Sequence, residues 1–229
     1  MFFFVIFSKI THSFFVNCFM AKRKTVLFGG TFDPIHIGHT TVAAEAGEYI
    51  GAEEIIIIPS KCSPLKETLP IASDDDRLKM IALSIADKEK FKLSDYELKK
   101  PGPSYTLETI RWFQKEHGGD TSIYWLIGAD SIDELPYWYG IVELIDQCSL
   151  SVMYRAGCEQ PDFDKFVSLW GPERVEKLQR NVIKTSLIDI SSTQIRNRLA
   201  AGRDAADMLH PSVADYIRKH SLYRSKAAP

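Results

Sequence analysis

Apolar positions along this chain follow two alternating rhythms. Continuous or β-branched apolar runs at Thr25–Phe28, Ile55–Ile58, Ser122–Ile127 and Leu150–Tyr154 predict strands. Ile55–Ile58, bounded by Glu53-Glu54 and Pro59, lacks polar alternation, as expected of a parallel strand buried on both faces. Phe91–Leu98 alternates like a half-buried strand, and Val182–Ile190 reads as the last strand. Between the strands, helical periodicity predicts His39–Ile50 and a helix capped by Ser73, with Asp74, Asp75 and Asp76 in its first turn, running to about Ala86. Pro101-Gly102-Pro103 introduces a helix at Thr106–His117, which Gly118-Gly119 closes. Further helices are expected at Tyr137–Gln147, Thr193–Ala201 and Ser212–His220, and residues 161–180 read as helical, polar and peripheral. No repeat or low-complexity linker interrupts the series. It predicts an α/β domain with one doubly wound parallel sheet, whose ligands bind at the carboxyl ends of the strands.

At 229 residues the chain is long enough for one domain with a sizeable core. Its 45% hydrophobic and 25% charged content is ordinary for a globular protein. A net charge of −2 without any long basic run gives no sign of a nucleic-acid partner. Cys18, Cys62, Cys148 and Cys158 lack C-x-x-C spacing, which argues against a zinc knuckle or disulfide framework and suits a reducing, cytoplasmic setting.

Residues 1–19, MFFFVIFSKITHSFFVNCF, are apolar and rich in phenylalanine. No basic segment precedes the apolar run, no small-residue cleavage site follows it, and Lys9 and His12 interrupt it. It therefore makes a poor signal peptide and a poor membrane span. The expectation is an extension upstream of a natural start at Met20-Ala21-Lys22, leaving 20–229 as a single domain. An interfacial anchor and a packed extension are the alternatives.

The stretch that concentrates chemistry is Thr25–Thr40, TVLFGGTFDPIHIGHT. Gly29-Gly30 at a strand end permits a sharp turn and close approach to a ligand, and Asp33-Pro34 continues the turn. His36 and His39 then stand at the mouth of a helix, where unpaired amides and the dipole favour an anion. Many such glycine turns bind nothing, and two histidines three apart are also two-thirds of a zinc site. However, there is no H-E-x-x-H, G-x-G-x-x-G or Walker A pattern.

The string G-x-F-D-P-x-H-x-G-H resembles the signature of the HxGH nucleotidyltransferases, which implies a Rossmann-like nucleotidyltransferase fold. Three further strand-end segments and Arg155 resemble one branch, the nicotinate-nucleotide adenylyltransferases, a last segment resembles the HxGH adenylyltransferases generally, and the resemblance runs from about Thr25 to Tyr223. The loop Pro59–Lys66 keeps Pro64 and Lys66 of that branch's P-x-x-x-P-P-H-K loop but has Ser63 and Leu65 for its proline and histidine. Lys66 is thus a phosphate-binding candidate. Ser104-Tyr105-Thr106-Leu107-Glu108-Thr109 is similar to S-Y-T-x-D-T, with Glu108 for the aspartate. Helix capping alone explains its polar residues; the resemblance places Thr106 in the nicotinate pocket. Gly128-Ala129-Asp130-Ser131 followed by Pro136-Tyr137-Trp138-Tyr139 is again that branch's pattern. A tryptophan in an amphipathic helix is most often core. The resemblance instead stacks Trp138 on the pyridine ring, has Tyr139 offer its backbone N–H to the nicotinate carboxylate, and sets Asp130 near the ATP ribose or metal-phosphate region. Arg155, otherwise a surface charge, falls where the branch has an arginine near the sugar-phosphate. Ile190–Arg196 is similar to the I-S-S-T-x-I-R signature of HxGH adenylyltransferases, where it binds the triphosphate; Ser191 to Gln194 also fits a capping box.

The resemblance implies adenylyl transfer from ATP to nicotinate mononucleotide by direct in-line attack, with His36, His39 and Arg196 as catalytic residues. Gly29, Gly30, Thr31, Phe32, Gly128, Ser191 and Ser192 would join them in holding ATP, and Thr106, Trp138, Tyr139 and Arg155 would hold the mononucleotide. No protein metal site is expected; Mg²⁺ would arrive as the ATP complex. No nucleic acid or membrane partner is expected, and a homo-oligomer stays open. A different HxGH transferase, or a non-catalytic nucleotide-binding protein on this fold, are the other readings.

Overall fold

The computed structural model describes residues 22–224 apart from 63, 66, 67 and 119. Lys66, Ser63 and the expected extension 1–19 lie outside the described residues. Among the described residues, strands β1 (Arg23–Gly30), β2 (Glu54–Pro59), β3 (Phe91–Leu93), β4 (Thr121–Gly128), β5 (Ser149–Arg155) and β6 (Val182–Thr185) form one sheet in the order β3-β2-β1-β4-β5-β6. Every neighbouring pair is parallel. The period of two along each strand feeds two cores. Val26 and Phe28 of β1 with Ile55 and Ile57 of β2 face one side, while Leu27, Ile56 and Ile58 face the other.

Helices α1 (Ile37–Ile50), α2 (Asp74–Ile85), α8 (Ser192–Ala200) and α9 (Pro211–Lys219) contribute to the first core. Helices α4 (Thr106–His117), α5 (Ile141–Gln147), α6 (Val167–Trp170) and α7 (Pro172–Arg180) contribute to the second, and the short α3 (Tyr96–Lys99) follows β3. Among the described residues no helix is long and apolar enough to cross a membrane.

Four predicted elements need correction. The third strand stops at Leu93 rather than Leu98: the Ser94 hydroxyl accepts from the Tyr96 N–H, Leu98 N–H donates to the Asp95 carbonyl, and the chain coils into α3. Short polar side chains offer the backbone this local alternative to a ladder. The last strand ends at Thr185 rather than Ile190, because Ser186 gives both its N–H (2.8 Å) and its hydroxyl (2.5 Å) to Glu45 on α1. Tyr137–Gln147 is not one helix. A 3₁₀ segment, Ala129–Tyr137, ends at Trp138, Gly140 is left-handed at φ 64°, and α5 begins at Ile141. Residues 161–180 are broken at Gly171 and are not peripheral, since Phe163, Phe166, Trp170, Val175 and Leu178 are buried in the second core.

The end of the sheet opposite the crevice carries a buried carboxylate. Glu54 accepts from Thr25 Oγ1 (2.9 Å) and Lys92 Nζ (2.5 Å), and His117 lies 3.7 Å away. Burial pushes this carboxyl up, but the bonds from Lys92 and Thr25 and the charges of Lys92 and His117 outweigh it and hold the group below its usual value. A carboxyl so lowered stabilises the fold above its ordinary value, and that contribution is lost as pH falls through the lowered one. Glu54→Ala is expected to cost about 1–3 kcal/mol at neutral pH, the penalty for stranded buried partners. It should also flatten the stability loss on acidification. Denaturant melts at neutral and acid pH test this; an unchanged acid slope would show that another group titrates.

Candidate active site

The strand order reverses between β1 and β4, so the connections leaving them diverge to opposite faces and open a crevice at their carboxyl ends. Both strands end in glycine, Gly30 and Gly128. Two cavities meet there, sharing Phe28, Gly29, Gly30, Thr31, Gly128 and Ser131 in their walls. A Cβ on Gly29 would lie 2.4 Å from the buried Trp125 ring, so only glycine lets the strand end pass this indole.

The larger cavity, about 1240 Å³, contains both histidines, Thr31, Phe32, Asp130, Ser191, Ser192 and Arg196. His36 is the N-cap of α1, which begins at Ile37 rather than His39, and His39 is the helix's third residue. His39 Nδ1 accepts the His36 backbone N–H at 3.3 Å, and an imidazole accepting there carries its proton on Nε2. The two rings stack with centroids 3.6 Å apart, and Phe32 meets His39 edge-on at 5.1 Å. Burial pushes His36 down to about 4, so it is neutral at physiological pH. Its buried Nδ1 has no hydrogen-bond partner, a polar atom that calls for a ligand. The capping box at α8 is present: Ser191 Oγ accepts from Gln194 N–H, and Gln194 Oε1 accepts from Ser191 N–H. Ser192 Oγ donates to the Pro34 carbonyl (2.8 Å), and Arg196 donates to the Asp33 carbonyl (2.7 Å) and to Thr193 Oγ1 (3.0 Å). Helix α8 thus grips the turn that carries the histidines.

The smaller cavity, about 550 Å³, is walled by Ser104, Tyr105, Thr106, Trp125, Trp138 and Tyr139 among others. The Tyr105 and Tyr139 rings lie 4.9 Å apart. Gly140 brings the Trp138–Tyr139 segment onto α4: its φ of 64° suits glycine, and a Cβ there would be 2.4 Å from Leu107 Cδ2.

A family model described as cytidylyltransferase-like matches residues 27–198. The "probable nicotinate-nucleotide adenylyltransferase" of Dehalococcoides mccartyi is 36% identical over 209 residues, covering 90% of this chain and all of that protein. Its namesake in Clostridium tetani is 36% identical over 205 residues, with 88% and 100% covered. The chain belongs to the nicotinate-nucleotide adenylyltransferase family. Among solved structures, the Plasmodium falciparum nicotinic acid mononucleotide adenylyltransferase complexed with NaAD has a TM-score of 0.67 at 21% identity, over 88% of this chain and 97% of that one. This likeness is one of fold.

The crevice brings together every site residue expected from the family's motifs that lies among the described residues, with one change of place. Arg155, expected with the mononucleotide, is exposed at the end of β5 and lines the larger cavity. Trp138 sits in extended backbone after the 3₁₀ segment, not in an amphipathic helix. Glu108 pairs with Lys100 and is absent from the smaller cavity's wall.

Two residues that no motif singled out, Arg77 and Glu97, and one inside the HxGH string, Asp33, hold the site. Arg77, fully buried, donates to the carbonyls of Thr31 (2.7 Å) and Ser60 (2.8 Å) and pairs with Asp74 (2.6 Å), tying the ends of β1 and β2 to α2. The carboxylate of Asp33 accepts from Ile71 N–H, Ala72 N–H and Tyr223 Oη. Glu97 is buried in the wall of the smaller cavity and accepts from Thr109 Oγ1 at 2.7 Å. Burial holds its carboxyl above the usual range, against the bonds from Thr109 and Ser104 and the charge of Lys100. The only local signals were an arginine three residues after Asp74 and a glutamate inside an apolar alternation.

Proposed function

We propose that this chain transfers the adenylyl group of ATP to nicotinate mononucleotide, forming deamido-NAD and pyrophosphate, a step of NAD biosynthesis. The observation that carries this reading is the meeting of two cavities across Gly29–Thr31 and Gly128. One is walled by donors for phosphate, the other by an indole and polar groups for a flat ring, with Glu97 and Glu134 also in its wall. Two nucleotides lying in them face each other at the carboxyl ends of β1 and β4.

A phosphate oxygen of the mononucleotide attacks the α-phosphorus of ATP. The bond to the bridging oxygen breaks, and its electron pair leaves with pyrophosphate. No protein nucleophile is needed, so the residues act by positioning and by meeting developing charge. His36 and His39 donate to triphosphate oxygens; the Ser191 hydroxyl and the Ser192 amide, with the remaining donors of Arg196, cradle them. The ring of Trp138 stacks on the pyridine, while Thr106 and the Tyr139 amide meet its carboxylate. Among the described residues, no group of three or more His, Cys, Asp or Glu is placed to hold a metal, and Asp33 is taken by three donors. This donor set fits Mg²⁺ carried in by ATP, with Asp130 on the cavity wall to face it. Bound with ATP, the ion would supply neutralisation of triphosphate charge. Cys62, Cys148 and Cys158 are unbridged, which suits a cytoplasmic setting.

Pyrophosphate release from ATP with a panel of phosphorylated acceptors tests the reading. Release with nicotinate mononucleotide well above that with nicotinamide mononucleotide, phosphopantetheine or glycerol phosphate is expected. A different preferred acceptor would make this another HxGH transferase, and no release with any would leave a nucleotide-binding protein.

A further inference from the structure

The turn Phe32–His36 that carries the histidines is held from three directions. Helix α8 grips its backbone through Ser192 and Arg196. The segment before α2 gives the Ile71 and Ala72 amides to the Asp33 carboxylate at 2.7 and 3.1 Å. The third hold comes from the far end of the chain: Tyr223 Oη donates to Asp33 Oδ1 at 2.6 Å, with both residues buried. Phe32 at φ 48° and Tyr223 at φ 62° are both left-handed without being glycine, as is Ser221 at φ 53°. Side chains seldom adopt this region, and a structure keeps them there only where surrounding bonds fix the backbone. Leu222 N–H to the Ile217 carbonyl, at 3.1 Å, is one such bond.

We propose that Tyr223 is a positioning residue for adenylyl transfer: by bonding Asp33, it fixes the turn on which His36 and His39 stand, so the C-terminal turn helps set the catalytic geometry. This rests on the functional reading above. Burial, the bond to Asp33 and that carboxylate's charge all keep the phenol above its usual value, so Tyr223 stays a donor at any physiological pH. The carboxylate of Asp33 cannot donate, so Tyr223 and the two amides must supply all three hydrogens. Without the hydroxyl, the Asp33 carboxylate is anchored only to the segment before α2 while α8 still holds the backbone, and the turn loses one of its three holds. Displacements of this kind, small and outside the reacting atoms, act on kcat more than on binding.

A second tyrosine of the same C-terminal region provides a matched control. Tyr216 Oη donates to Asp76 Oδ1 at 2.8 Å, pinning α9 to the first turn of α2, and neither residue lines either cavity. The experiment measures kcat, KM for ATP and for nicotinate mononucleotide, and melting temperature in the parent, Tyr223→Phe and Tyr216→Phe. Tyr223→Phe is expected to lower kcat about 10- to 100-fold with KM for the mononucleotide unchanged. Tyr216→Phe should lower the melting temperature while keeping the parental kcat. Parental kcat in Tyr223→Phe, or equal kcat losses in both variants, overturns the proposal and reduces Tyr223 to a structural contact. Should Tyr223→Phe fold poorly at the assay temperature, kcat per folded molecule is measured below its melting temperature and must show the loss; parental kcat there overturns it too. A parent without adenylyl transfer overturns both this proposal and the functional reading, whereas an active parent with an indifferent Tyr223→Phe overturns this proposal alone.

Discussion

Replacing His39 by alanine is expected to lower kcat by about 10²–10³, the scale of losing one preorganised donor to a developing anion. The ring accepts the His36 amide at Nδ1, which directs the Nε2 proton outward. Phe28 and Phe32 meet it edge-on and fix its plane. A donor so held needs little reorganisation when charge builds on the triphosphate. ATP affinity is expected to fall much less, because the proposed cradle of Ser191, Ser192 and Arg196 remains and would contact the ground state as well. A steady-state comparison with calorimetric ATP titration checks this, and near-parental kcat would remove His39 from the mechanism. His39→Asn, which can keep the amide bond while losing the Nε2 donor, should behave like alanine.

The second large effect concerns the acceptor. In the proposed pocket Thr106 and the Tyr139 amide would present N–H and O–H donors, which satisfy a carboxylate fully, whereas a carboxamide would present its own NH₂ to one of them. Hydrogen bonds to a charged group are worth about 1.5–3 kcal/mol each. Losing one or two corresponds to a nicotinate preference of roughly 10- to 10⁴-fold in kcat/KM, at about 1.4 kcal/mol per tenfold. Acidic side chains near the ring would erode that preference. Glu108 is taken up by Lys100. Glu97 lines the cavity with its Oε1 bonded by Thr109 and its carboxyl held above the usual range by burial, and the exposed Glu134 also lines it. Trp138→Ala should raise KM for both mononucleotides and leave ATP binding intact, because the indole belongs to the smaller cavity alone. Comparable kcat/KM for nicotinate and nicotinamide mononucleotides would make this a dual-specificity enzyme instead.

Where the determinants were local, the sequence was legible. The isoleucines of β2 declared a strand buried on both faces, and Gly29-Gly30 followed by two histidines declared a strand-to-helix turn with both rings at a helix mouth. The cap at Ser191 was readable for the same reason, since its partner lies three residues away. What stayed hidden depends on distant partners. Arg77 reaches Thr31 across 46 positions, Arg196 reaches Asp33 across 163 and Tyr223 reaches Asp33 across 190. No periodicity encodes such bonds. The missed element ends have the same origin: Glu45, 141 positions from Ser186, diverts the chain at Thr185 and cuts short a strand that the apolar pattern would have continued to Ile190.

The most direct measurement follows two phosphorus labels. The protein is incubated with nicotinate mononucleotide and ATP labelled in parallel at the α- or the γ-phosphorus. Direct adenylyl transfer places the α label in a dinucleotide and the γ label in pyrophosphate, in equal amounts and only when the mononucleotide is present. Labelled inorganic phosphate with ADP, α label retained on the protein, or no turnover with this acceptor would contradict the account.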